Sequence, residues 1–463
     1  MKEIIYSSKT KNLGLYSLLI LSLVIYSIIQ PENIFYLLII ILGSVTGFFL
    51  LITEGLSFYF MLLFIFFGTI ASINIGFTLK ASQLFSILAL GNLFILKKIS
   101  KENLIIFLPL IIFISSILPS FISPKVFSEF YEASSNLRFL FNLSFLYLIS
   151  FVTLSYIDTK EKLKKSILTI FISYLLVLVF GIIQQIGFYT GVYNPIDYIG
   201  KHSLFVDFYG PFLRISPGTF ANEFGEITQV ILIFLSNFLI FMRKEISPLT
   251  KNFLKVSLLF SLIALVINFT RISWIVYLLY LPIIFFVSKP KFKTVLKICG
   301  YICALFGILV YIQIKTNILT LIPIVDRFAE LSDLSQNSAG TRLEYWKESY
   351  NLFIESPMVG NGFGSTLDTH NVPLELLSGS GLIGFLGFYS LMVFISYKFY
   401  IMYKKTNDTF LKAISLSLFL GISSCIIFDF TNHGIFHFIL WIIIGLGLAT
   451  NKIINAKNIT YLN

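Results

Sequence analysis

Apolar runs of bilayer-spanning length follow one another along most of the chain. They lie near 13–29, 34–52, 55–77, 78–96, 104–119, 137–157, 166–190, 227–242, 253–270, 272–288, 296–313, 382–400, 409–427 and 435–450. A spanning helix needs about 17 to 25 largely apolar residues. The pattern predicts an all-α polytopic membrane protein with about 12–14 transmembrane helices. The first run, Leu13 to Ile29, is followed by Gln30-Pro31-Glu32 rather than by small residues, so it is expected to stay as a span and not to be cleaved. Two polar intervals are long: Gly191 to Glu226 and Lys315 to Ser380. They suggest four parts: N-terminal helices over 1–190, helices with a first outer loop over 191–313, a large outer loop over 314–380 and C-terminal helices over 381–463.

Shorter patterns mark the loops. Ser120 to Asn136 places Phe127, Phe130 and Tyr131 on an amphipathic stretch suited to the interface, and Arg138 opens the next span, where snorkelling explains it. In the first long interval, Pro217-Gly218 is a turn signal, and Asn222 or Thr219 could cap the following span. Arg214 then sits about one turn from a helix N-terminus, a natural anion site. Arg271 lies at a tight hairpin between apolar runs, either at the water boundary or facing a partner. Thr341 and Glu344 have capping-box spacing. Leu343, Trp346, Tyr350 and Phe353 then share one face at helical period, so a surface helix should begin beside Arg342 and end at Pro357.

Charge refines the topology. Only 12% of residues are charged, against roughly 25% in a soluble domain. The net charge of +11 is not a nucleic-acid signal, because Lys clusters in alternate loops. Such groups occur at Lys97, Lys98 and Lys101, at Lys160 to Lys165, at Lys289 to Lys297 and at Lys398 to Lys412. By the positive-inside rule this face, with both termini, is cytoplasmic. Every Arg except Arg243 falls on or near the other face. Arg forks onto phosphate where Lys is a point charge, so the choice is chemical. The three cysteines, Cys299, Cys303 and Cys425, lie in apolar runs without metal or disulfide spacing.

Chemistry concentrates between Pro357 and Gly384. The stretch holds His370-Asn371, preceded by Gly362 and Gly364 and followed by Gly381 and Gly384. Pro373 favours a helix start. A His at that positive end stays neutral and can accept a proton; the plainer reading is a helix cap. A general base with Arg214, Arg271 and Arg342 around a phosphate suits a diphosphate leaving group. No Asp-x-Asp motif or acidic cluster suggests a divalent metal, and Gly360 to Gly364 is not a P-loop. His433 and His437 have the i, i+4 spacing of a metal pair beside Asp429, although structural histidines fit better.

These residues resemble a known family. His370-Asn371 with Gly381 and Gly384, preceded by Arg342, Trp346, Pro357, Gly360, Gly362 and Gly364, is similar to the signature of the bacterial O-antigen ligase and O-antigen polymerase superfamily. Arg214 to Asn222 and Thr270-Arg271 resemble its upstream arginine sites, with Arg271-Ile272-Ser273 where members often have Ser-Arg-Gly. The resemblance implies a GT-C-like, metal-independent glycosyltransferase without cofactor, in the bacterial inner membrane with an extracytoplasmic site. His370 would activate the acceptor hydroxyl. Arg214, Arg271 and Arg342 would bind the diphosphate of an undecaprenyl-pyrophosphate-linked glycan, and Asn371, Asn222, Gly381 and Gly384 would support them. Inversion is expected. The acceptor would be a second lipid-linked repeat unit, giving O-antigen or capsule-type polysaccharide, or else lipid A-core or protein. A flippase and a chain-length regulator are the implied partners. A transporter, the other class, would need charges buried along a path, whereas these sit at span ends.

Overall fold

The computed structural model describes residues 46–68, 70–74, 78–121, 134–192, 208–209, 212–242, 245–288, 338–363, 369–432 and 434–460, with isolated positions at 300, 304 and 307. The expected span 13–29 and most of 34–52 and 296–313 lie outside these residues.

The chain is an all-α polytopic membrane protein. Its helices are α1 (Leu56–Leu63), α2 (Ala81–Ile95), α3 (Lys101–Ile117), α4 (Ser134–Tyr156), α5 (Lys160–Tyr189), α6 (Ala221–Phe241), α7 (Pro248–Ile267), α8 (Arg271–Ser288), α9 (Ser338–Glu355), α10 (Val372–Lys405), α11 (Thr409–Asp429) and α12 (Phe438–Thr460). Among the described residues, eight helices are long and apolar enough to cross a membrane; a ninth span results if Thr46–Ile52 and α1, bent by 113°, count as one. Many of these sequences are rich in Ile, Phe and Val, which are indifferent helix formers. An apolar phase overrides propensity, because every backbone N–H and C=O must be satisfied within the segment. Hydroxyls are satisfied the same way: Ser257, Ser261, Ser415 and Ser417 each donate to the carbonyl four residues back.

The expected span 55–77 is not one helix. α1 ends at Leu63, turns follow, and an antiparallel hairpin pairs Ser72–Asn74 (β1) with Thr78–Lys80 (β2). The reason is a close backbone approach. Gly68, at φ +52°, lies so near the Gly218 carbonyl that a Cβ there would come within 2.0 Å of its oxygen. Apolar side chains continue through this turn, so hydropathy alone runs across it. A second minimal hairpin, Phe208–Tyr209 (β3) with Phe212–Leu213 (β4), leads into Arg214.

α6, α11 and α12 form the centre. Nearly all of α6 up to Phe238 is buried, and α11 and α12 are similarly enclosed. Small residues let helices close: a Cβ on Gly445 of α12 would lie 2.9 Å from the Ser150 carbonyl of α4, and Ser150 donates to the Trp441 carbonyl at 2.7 Å. α2, α3, α5, α8 and α10 present outward apolar side chains such as Phe94, Ile105, Ile183, Phe286 and Val393, as a lipid-facing perimeter requires.

The two ends differ as the charge pattern predicts. At one end Lys160 pairs with Asp408 at 2.6 Å, Lys162 with Asp158 at 2.8 Å, and Lys98 with Glu54, and Lys452 reaches Asn103 at 2.7 Å. Helices starting there carry side-chain caps: Ser100, Thr159, Ser247 and Asp408 each accept an N–H from their first turn. α6, α8, α10 and α12 start at the opposite end. There lie Arg214, Arg271 and His370.

Candidate active site at the arginine and histidine end

Arg214 is held in a fork. Its Nε donates to the Asn268 carbonyl at 2.9 Å, and one terminal nitrogen reaches Asn222 Oδ1 at 3.2 Å and Thr270 Oγ1 at 2.9 Å. Asn268 fixes the same knot, donating through Nδ2 to the carbonyls of Ile215 and Ala221, both at 2.8 Å. The α7–α8 hairpin is therefore tied to the Arg214 loop and to the start of α6. Phe269 takes φ +57° to make the turn, and Arg271 is the first residue of α8. Gly225 leaves room for this: a Cβ there would lie 2.6 Å from Asn268 Oδ1 and 2.8 Å from Ser273 Oγ.

The expected capping of α6 is corrected. Phe220 is the N-cap and makes no side-chain cap hydrogen bond. Asn222 instead accepts from Arg214, and the Thr219 hydroxyl meets Glu223. The arginine has taken over the polar group that sequence reasoning gave to the helix end.

Arg342 lies near the start of α9. That helix begins at Ser338, three residues before the expected Thr341, because the chain is already helical through Gly340, which removes the capping-box geometry. Trp346, one turn on and on Arg342's face, donates its indole N–H to the Thr369 carbonyl at 2.8 Å. That carbonyl immediately precedes His370. The surface helix thus joins Arg342's neighbourhood to the histidine turn.

His370 has φ +49°, a left-handed conformation that costs energy in a non-glycine residue. Two neighbours hold it. Thr369 Oγ1 contacts Glu375 Oε1 at 3.2 Å. Asn371 caps α10, accepting from the Leu374 N–H at 3.0 Å, and donates to the Phe430 carbonyl at 3.0 Å. A helix starts just after His370, as Pro373 predicts, with Asn371 rather than the histidine as its cap. The Nδ1 of His370 is turned inward. His370, Arg214, Arg271 and Arg342 are all half-buried, neither sealed in the core nor fully in solvent.

The glycines build the lock behind this turn. α10 breaks at Gly381, with φ +65° and ψ −167°. The Pro357–Gly362 loop lies along the break. Asn361 and Gly362 donate to the carbonyls of Ser378 and Gly379, and Leu382 and Ile383 donate to those of Pro357 and Met358, over 2.8–3.2 Å. A Cβ on Gly381 would come 2.4 Å from the Met358 carbonyl, and one on Gly360 would come 2.4 Å from Gly379. Gly384 serves tight packing within α10, since a Cβ there would meet the Ser380 hydroxyl at 2.0 Å.

One functional candidate, Glu226, was not singled out from sequence. Glu226 is completely buried in α6, and its Oε2 meets Nδ1 of His437. His437 is thus engaged by a carboxylate rather than read as half of a metal pair. The available signal was an ionisable residue inside an apolar helix. Asp197, Lys201, His202, Asp207, Asp326, Arg327, the 332–337 linker, Gly364, Asp368, His433, Cys299, Cys303 and the side chain of Arg138 lie outside the described residues. Cys425 is a buried free thiol in α11.

A search of curated proteins finds no match to the chain. Residues 256–389 match the family model described as O-antigen ligase. The matched region contains Arg271, Arg342, His370, Gly381 and Gly384; Arg214 and Asn222 precede it. The family implies membrane glycan transfer of the O-antigen ligase or polymerase type. Residues 256–389 are therefore similar to the O-antigen ligase domain, and the match supports the O-antigen ligase and polymerase superfamily for this part of the chain.

Proposed function

We propose that the protein is a metal-independent glycosyltransferase that joins undecaprenyl-pyrophosphate-linked repeat units into an O-antigen or capsule-type polysaccharide at the outer face of the inner membrane. The observation that carries the reading is the knot at Arg214, which ties one guanidinium to the residue preceding a second, Arg271, at the starts of two helices. Helix starts and arginine forks both favour anions, and a departing diphosphate is an anion in need of stabilisation.

In this reading His370 takes the proton from an acceptor hydroxyl. Since Nδ1 is turned inward, Nε2 is the nitrogen that meets substrate. The acceptor oxygen attacks the anomeric carbon, the bond to the diphosphate oxygen breaks, and the electron pair leaves on the diphosphate. Arg214, Arg271 and Arg342 stabilise that charge. Attack opposite the leaving group inverts the anomeric centre. Transfer to lipid A-core is the second reading, favoured by the description of the matched family.

The test is reconstitution in liposomes with lipid-linked repeat units, alone and with lipid A-core. A ladder of products from repeat units alone, lost in Arg342→Lys, supports polymerisation. A single transfer that requires lipid A-core replaces it with ligation. No transfer to either acceptor overturns both.

A further inference from the structure

One turn joins elements that carry different parts of the site. Asp429 ends α11 and Phe430 caps it. A single 3-10 turn, Gly434–Phe436, follows, and His437 leads into α12. α10 grips this turn through Asn371, on the Phe430 carbonyl at 3.0 Å. α12 grips it through Trp441, whose indole donates to the Ile435 carbonyl at 2.7 Å. α6 grips it through Glu226, whose carboxylate meets His437. Gly434 makes the fit: a Cβ there would lie 1.9 Å from Asp429 Oδ1 and 3.5 Å from Glu226 Oε1.

The placement of Glu226 calls for a reason. A carboxylate in an apolar interior is costly unless paired, and a bundle that needed only packing would put an aliphatic side chain there. One turn earlier on the same face of α6, Asn222 holds Arg214. Glu226 therefore stands between the arginine half of the site and the turn that fixes Asn371, next to His370. A charge-assisted contact is short and directional, so it sets a distance that apolar packing would leave loose.

We propose that Glu226 and His437 are positioning residues whose contact sets the spacing between the Arg214 half and the His370 half of the site, acting through the turn at Phe430. The inference rests on the proposed glycan transfer for its kinetic readout only. The experiment uses the full chain in liposomes, as Glu226→Gln and His437→Gln. Two quantities are followed: backbone hydrogen exchange over 369–376, and turnover with lipid-linked repeat units. We expect exchange there to rise about tenfold above that of the helices around it. We expect kcat to fall about 100-fold, the scale of an ångström's misplacement, with donor KM within about threefold. The double variant should be no worse than either single one. Should Glu226→Gln not fold, Glu226→Asp withdraws the charge by one methylene and gives the same readouts. Folded variants with unchanged exchange and unchanged kcat overturn the proposal. So does a kcat loss with exchange raised evenly through the bundle, which marks a structural role alone. A wild type inert toward lipid-linked glycans sinks the proposed function, and the exchange measurement still decides this inference.

Discussion

The Arg214 guanidinium donates to the Thr270 hydroxyl at 2.9 Å, so the first arginine holds the residue immediately preceding the second. Arg214 also reaches Asn222 and the Asn268 carbonyl, a three-way grip that needs a planar fork. Lysine keeps the charge and cannot reproduce the fork. Hydrogen bonds to charged groups contribute about 1.5–3 kcal/mol each. Arg214→Lys is therefore expected to lower kcat/KM at least about 100-fold. Thr270→Val, which removes one accepting oxygen, should cost about tenfold. Initial rates with a lipid-linked donor check both; a fully active Arg214→Lys enzyme would show that the fork is not needed.

Asn268 makes a prediction about stability. It is fully buried, and its amide satisfies the carbonyls of Ile215 and Ala221. Asn268→Leu keeps the volume and strands both oxygens, at about 1–3 kcal/mol each. Thermal unfolding in detergent should show a clearly lower midpoint, with the loss concentrated where α6 and the α7–α8 hairpin meet. Asn268→Asp should fail as well, because a carboxylate cannot donate to two carbonyls.

How far the sequence foretold all this depended on the kind of signal. Hydropathy located most of the described spans because membrane helices are set by length and apolarity, and the Lys-rich loops gather at the end opposite Arg214, Arg271 and His370. The break after α1 was hidden, since the chain stays apolar while the backbone turns at Gly68. Arg214, Arg271 and His370 stood out by residue type, but their ties did not. Asn222 looked like a cap because its spacing to the helix allows one; a guanidinium from the preceding loop competed and won. Glu226 and His437 are 211 residues apart, and no local pattern reports such a pairing.

The glycines of the Pro357–Gly384 stretch were visible as a pattern, and their purpose was not. Gly381 and Gly191 share a left-handed φ, at +65° and +72°, yet only Gly381 has backbone pressed against it. Ala at Gly191 should cost about 1 kcal/mol, from conformation alone. Ala at Gly381 adds a collision with the Met358 carbonyl, so the Pro357–Gly362 loop must lift away and lose paired hydrogen bonds. Gly381→Ala is expected to lower the unfolding midpoint several times more than Gly191→Ala. Limited proteolysis should then cut near residue 360 in the former variant and not in the latter.

His370 tests chemistry and conformation separately. Its φ of +49° is one that Asn tolerates and that Ala adopts at a cost of about 1–2 kcal/mol. His370→Asn therefore preserves the turn and removes the base, and His370→Ala removes the base and strains the turn. Loss of a general base costs about 10²–10⁴-fold in rate. If His370 acts as one, both variants should lose turnover to that extent, the Asn variant with wild-type thermal stability and unchanged donor binding. If His370 served only to shape the turn, His370→Asn would retain activity while His370→Ala lost it.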